Sequence, residues 1–222
     1  MNKEEITMNT SETPTPQPVK CTYTVTRTAP RDLEQLLDSI QTGQTPMKVG
    51  DMIGIELLDG TPVDLVVTDA AETFVRFESR DSLLAHTSAR GLREYLDGIY
   101  DRLPEALAKR IAEVERVHLD EDGKRQTRRC KIFCPAACEI FPPDECYGDK
   151  GVYAQLPYYK DVHNRVRARG KGGDAHWYWT SSRSANSSSA FCYVTSYGSA
   201  NGNGASFAGG VAPFGCILPV TR

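Results

Sequence analysis

Tyr193, Tyr197 and Phe207 stand among Ser184, Asn186, Ser187, Ser188, Thr195, Ser199, Asn201, Asn203 and Ser206. The chemistry open to such a set is recognition without bond making. Tyr and Phe offer large contact areas with few torsions to freeze, and Ser, Thr and Asn supply adaptable hydrogen bonds around them. Charge plays little part here. Between Ala175 and Thr221 only Arg183 carries a full charge, although 25% of the chain is charged. These twelve residues are the candidate ligand-binding set, within a segment of about 177–216. Trp177, Trp179, Val194, Val211, Pro213 and Ile217 are the expected scaffold beneath them.

Other chemistries are poorly served. Seven cysteines are present. Cys130, Cys134, Cys138 and Cys146 follow a C-x3-C-x3-C-x7-C spacing that fits no usual zinc knuckle. Without a secretion signal, reduced thiols packing as small hydrophobes are the better reading. A Cys192–Cys216 disulfide stays open if their strands are neighbours. A thiolate nucleophile needs a nearby cation, and from Ser184 onward the tail has none before Arg222. His118 and His163 could serve a hydrolase, but no nucleophile elbow accompanies them. Asp120–Gly123 lacks the glutamate that closes a calcium loop and reads as a hairpin turn. No catalytic residue, metal site or cofactor is expected.

A net charge of −3 and a pI near 5.8 argue against a nucleic-acid partner. Two basic clusters, Lys124–Arg129 and Arg165–Lys171, could touch phosphate or an acidic partner, and an exposed strand edge or solvated loop accounts for them equally well. No apolar run approaches the length of a membrane span. The Thr/Pro/Glu-rich residues 1–19 hold no apolar signal region and read as a disordered lead or tether, ahead of one domain over 20–222. A cytoplasmic origin without a signal peptide follows.

The elements that must position the candidate set follow from periodicity. Leu33, Leu36, Leu37 and Ile40 fall on one side of a helix over 31–40. Residues 49–79 alternate strand and turn, with breaks at Asp59-Gly60 and Asp69–Ala71, as an antiparallel meander does. Thr87-Ser88 can cap a helix through Leu92, Tyr95, Leu96 and Ile99, and Pro104-Glu105 can start a second. Residues 114–118 and 128–133 look like a strand pair, 153–168 like a short helix, and 170–173 like a loop. HWYWTSS, AFCYVTSY and VAPFGCILPV read as three strands. In AFCYVTSY, Phe191, Tyr193, Thr195 and Tyr197 share one face and Cys192, Val194 and Ser196 the other. Recurrent aromatic and β-branched residues count against a disordered tail. The class is α+β.

Several ordered motifs carry a family resemblance: VGD-x-I-x-I-x-L-x-DG at Val49–Gly60, S-x-x-x-LREYL at Ser88–Leu96, and KIF-x-x-x-A-x-EIF at Lys131–Phe141. Next come YYKD-x-x-x-R at Tyr158–Arg165, YW-x-SS at Tyr178–Ser182, F-x-YV-x-x-x-G at Phe191–Gly198 and GV-x-P at Gly210–Pro213. Their order over residues 20–222 resembles C-type-lectin-fold domains of phage and prophage proteins. The tail is similar to the variable region of target proteins of diversity-generating retroelements. In those systems AAC codons are scrambled at their adenines, which yields no Lys, Glu, Gln, Met or Trp. Residues 184–210 contain none of these five types, and an invariant polar loop would pass the same test.

The resemblance implies a C-type-lectin-like fold and a diversified C-terminal surface. That surface would bind a protein or cell-surface ligand, on a virion-associated protein or a homo-oligomer. The Glu-Pro-Asn and Trp-Asn-Asp motifs of calcium-dependent sugar binding are missing. Two alternatives stay open. One is a structural or decoration protein of a phage particle. The other is an enzyme of the formylglycine-generating type, which shares the broad fold and would need Cys192 and Cys216.

Overall fold

Leu33, Leu37 and Ile40 repeat at helical spacing and are buried on α1, Pro30–Gln41. The computed structural model describes residues 30–119, 124–143, 149–185, 187 and 189–221. The expected N-terminal lead, the turn at 120–123, and Cys146, Asn186 and Ser188 lie outside the described residues.

The meander forms with one break displaced. β1 (Met52–Glu56), β2 (Pro62–Ala71) and β3 (Phe74–Ser79) pair antiparallel in sequence order. Asp69–Ala71, expected as a break, stay paired with β3 inside β2, and the turn falls at Glu72-Thr73. Gly60, at φ 82°, supplies the left-handed residue between β1 and β2, and Asp59 Oδ1 accepts the Thr61 N–H at 3.0 Å. Two helices follow, α2 (Leu92–Tyr100) and α3 (Glu105–Ala108). Helix α2 begins later than expected, with Gly91 at its N-cap. Ser88 Oγ closes the turn before it, and the Thr87 N–H donates to Gly210 O at 2.7 Å. A tertiary contact has claimed Thr87 for the distant tail.

The 128–133 strand is split. β4 (Val114–Leu119) pairs with β5 (Arg125–Cys130) as a separate ribbon. The chain then breaks at Lys131, and β6 (Ile132–Phe133) joins the main sheet. Phe133 and Ile132 are buried whereas β5 is largely exposed, so burial separates the two pieces. A short helix, α4 (Ala137–Ile140), follows, and two 3-10 turns (Pro157–Lys160, Val162–Arg165) replace the short helix expected at 153–168. β7 (Arg167–Ala168) and β8 (Ala175–His176) flank the 170–173 loop.

The tail folds into β9 (Tyr178–Arg183), β10 (Ala190–Val194), β11 (Ala200–Gly204) and β12 (Gly215–Pro219). β12 enters the main sheet between β3 and β6, giving the order β1-β2-β3-β12-β6. The chain end is fastened to α1: Thr221 N–H donates to Gln41 O at 2.7 Å, and Gln41 Nε2 to Pro219 O at 3.2 Å. β9, β10 and β11 form a second sheet, ordered β11-β10-β9. Antiparallel sheets and helices make the fold α+β. Among the described residues no helix is long and apolar enough to cross a membrane.

Cys192 lies in the second sheet and Cys216 in the first, and both are buried free thiols. Their strands are not neighbours, so the disulfide left open above does not form.

Candidate functional site

β10 alternates as its sequence requires. Cys192 and Val194 are fully buried, while Phe191 and Tyr193 face the other way. The register sets Tyr193 opposite both Trp179 on β9 and Asn201 on β11, and Phe191 opposite Asn203. Strand character ends at Val194. The expected strand continuation through Tyr197 is instead a tight turn: Thr195 N–H donates to Ser199 O at 2.8 Å, and Gly198 sits at φ 82°. Thr195 Oγ1 accepts from the N–H groups of Tyr197 and Ser199 at 3.3 and 3.1 Å. This threonine shapes the turn, and its hydroxyl oxygen is engaged there.

Beneath that turn the indoles interlock. Trp179 is 0% exposed, and its Nε1–H donates to Thr87 O at 3.0 Å. Trp177 meets Trp179 edge-on at 5.2 Å and 83° and Tyr193 at 5.0 Å and 64°, and Phe207 lies tilted against it at 5.8 Å and 34°. Edge-to-face pairs of this kind add attraction beyond buried area. Gly210 makes the arrangement possible: a Cβ there would sit 2.4 Å from Trp179 Nε1 and 2.5 Å from the Trp177 ring. Gly210→Ala is therefore expected to cost about 1–3 kcal/mol through overpacking, read as a lowered urea midpoint with an unchanged slope.

A shallow depression of about 350 Å³ opens over these rings. Trp177, Tyr193, Thr195, Ser196, Tyr197, Asn203 and Phe207 line it. Five of the twelve candidate residues meet here: Tyr193, Thr195, Tyr197, Asn203 and Phe207. Tyr197 is 86% and Phe207 50% exposed. The lining holds no charged group. Asn203 Oδ1 accepts from the Gly204 N–H at 2.8 Å, which leaves its amide hydrogens for a ligand.

The other candidates scatter. Ser199, Asn201 and Ser206 are exposed outside the lining, and Asn201 is on β11. Ser184 and Ser187 lie in the β9–β10 connection. There Ser184 N–H donates to Ala190 O at 3.0 Å and Ser187 Oγ lies 3.1 Å from Ser189 Oγ. Asn186 and Ser188 are outside the described residues. Trp177, read as scaffold, also lines the depression, and Ser196, read on the face of Cys192 and Val194, joins it because the chain turns after Val194.

A second polar centre escaped the sequence reading. Glu139 on α4 accepts from Arg76 at 2.6 and 3.2 Å, from Arg116 at 2.7 and 2.5 Å, and from the Ala136 N–H at 2.8 Å. Glu78 accepts from Arg76 at 2.8 and 3.1 Å, Arg167 at 2.8 Å, Thr68 at 3.2 Å and the Tyr159 hydroxyl. Burial alone would raise the Glu139 pKa, but the two guanidiniums outweigh it and hold the carboxyl well below its usual range. Arg165 and Arg167 are buried, so half of the second basic cluster is interior and cannot meet phosphate or a partner. One signal was available. Arg76 and Glu78 stand two apart, on one face of a strand that is otherwise apolar up to Ser79.

The thiols are quiet. Cys134 Sγ donates to Trp179 O at 3.3 Å, and burial pushes the Cys216 thiol up to about 12. At neutral pH such a thiol is not a nucleophile. Among the described residues no group of three or more His, Cys, Asp or Glu is placed to hold a metal ion.

Residues 89–219, which span α2, the ribbon, the depression and β12, match the family described as Domain of unknown function (DUF6273), and the chain belongs to that family. No curated protein and no solved structure matches the chain.

Proposed function

We propose that this DUF6273-family chain is a ligand-binding protein of C-type-lectin-like fold, and that the face of β9, β10 and β11 is its receptor-binding surface. In this reading it is encoded by a phage or prophage. A retroelement diversifies the C-terminal segment, and the partner is a protein or cell-surface ligand. The carrying observation is the charge-free aromatic depression, where Tyr193, Tyr197, Asn203 and Phe207 converge above a buried tryptophan frame. The lectin-like reading draws support from the last strand returning to the N-terminal meander, with the loop-rich second sheet carried between them.

The division of labour suits a variable surface. Trp179, Val194 and Val211 are fully buried and hold the frame. Tyr197 and Asn201 project from it and can change without opening the core. Ligand groups that match the depression are uncharged, with a flat or apolar face to lie on the rings and acceptors for the Asn203 amide. The Cys216 thiol, kept protonated by burial, weakens the formylglycine-type alternative.

Two measurements test the reading separately. The encoding genome should hold a near-copy of the gene's 3′ end, differing almost solely at adenines, beside a reverse-transcriptase gene. Its absence would remove the retroelement and favour an invariant particle protein. Labelled protein should bind bacterial cells, and Tyr193→Ala with Tyr197→Ala should lower that binding about tenfold or more, as loss of aromatic anchors does. Undiminished binding by a folded double variant would reject the depression as the site.

A further inference from the structure

β11 is the outer strand of its sheet and pairs, among the described residues, with β10 alone. The Thr195 N–H to Ser199 O and Ala205 N–H to Ser189 O bonds, both 2.8 Å, mark those residues as hydrogen-bonded pairs. Antiparallel alternation then makes Tyr193/Asn201 and Phe191/Asn203 hydrogen-bonded pairs as well. The backbone groups of Ala200, Gly202 and Gly204 therefore point away from β10, toward the open edge.

Two of those outward donors are already occupied. The Gly202 N–H donates to Asn201 Oδ1 and the Gly204 N–H to Asn203 Oδ1, each at 2.8 Å. The Gly204 carbonyl accepts the Phe207 N–H at 3.0 Å. In both asparagines the side chain satisfies the donor of the next residue, a local bond that competes with sheet pairing.

We infer that β11 is a latent pairing edge, closed by the amides of Asn201 and Asn203, and that a second copy of this chain occupies it once those amides are removed. An exposed strand edge is a template for another strand, and proteins usually guard it with charge, proline or a covering element. β11 has no charged residue and no proline, so the two amides are its guard. The partner is specified by symmetry. The strand set antiparallel to itself about a two-fold axis at Gly202 is self-complementary, with Gly202 facing Gly202 and Ala200 facing Gly204. Approach is open: Gly202 and Gly204 are exposed and Ala200 is half-buried. The inference stands whether or not the depression binds a ligand.

The experiment compares molar mass by light scattering for wild type, for Asn201→Ala with Asn203→Ala, and for that double variant with Gly202→Pro added. The double variant should double in mass over a dilution series in which wild type does not. Gly202→Pro should restore the wild-type mass, because proline removes the central outward donor at a site where an edge tolerates it. A folded double variant with wild-type mass would overturn the inference. So would a wild-type mass above that of the triple variant, since the wild-type edge would already be paired. Amide exchange on the single variants gives an independent reading. Asn201→Ala should speed exchange at Gly202 alone and Asn203→Ala at Gly204 alone, and unchanged rates would show that the amides guard nothing.

Discussion

Glu139→Gln is expected to lower the unfolding free energy by about 3–5 kcal/mol, because it leaves Arg76 and Arg116 facing each other without the shared carboxylate. Arg76 is 5% and Glu139 2% exposed at the side chain, so water cannot replace the lost charge. The glutamine still has an oxygen for the Ala136 N–H, which confines the loss largely to the ion pairs. Equilibrium urea unfolding of wild type and variant at neutral pH measures the difference.

The same group sets a pH dependence. The folded-state pKa of Glu139 is depressed, so its contribution is fully present above the unfolded glutamate value of about 4.3. It is lost progressively as pH falls below that value toward the lower folded pKa. Wild-type stability should therefore drop on acidification in this window. The Gln variant, already weakened, should show a shallower slope. Parallel slopes would mean that Glu139 is not the titrating group.

Trp179→Ala is the second large effect, expected at about 3–5 kcal/mol from the cavity and the orphaned Thr87 carbonyl. Trp177, Tyr193 and Gly210 all pack against this indole, so the site has little freedom to collapse. Tyr197→Ala is the contrast: its side chain is 86% exposed, and the change should stay within about 0.5 kcal/mol. Thermal melts of both variants decide the matter. A comparable loss at Tyr197 would make the Thr195–Ser199 turn part of the structural frame, and the separation of frame from surface would fail.

Legibility followed the range of the interactions. The α1 face at Leu33, Leu37 and Ile40 and the β1–β2–β3 meander were readable because their patterns repeat within a few residues. The tryptophan pair was readable in part: their spacing of two brings the indoles together, but the chain breaks its strand at Trp177, between β8 and β9. The register of Tyr193 and Phe191 against Cys192 and Val194 was equally local. The errors have other sources. The pairing of Thr87 with Gly210 pulled the start of α2 toward its C-terminal end. Burial of Ile132 and Phe133 split a continuous strand pattern between two sheets. Arg165 and Arg167 look like a solvated basic run, and only their packing against Tyr159, Glu78 and Ser79 turns them inward.

By itself the sequence determined the α+β class, the helix and strand faces, and a charge-poor terminal segment rich in Tyr, Ser and Asn. Those are consequences of periodicity and composition, which act along the chain. Tertiary structure alone decided which of those residues share a depression, that β12 closes the first sheet while β9, β10 and β11 form another, and that two carboxylates bind three guanidiniums in the interior. Each of these depends on contacts between residues far apart in sequence, where chain closure and desolvation, rather than local preference, select the partner.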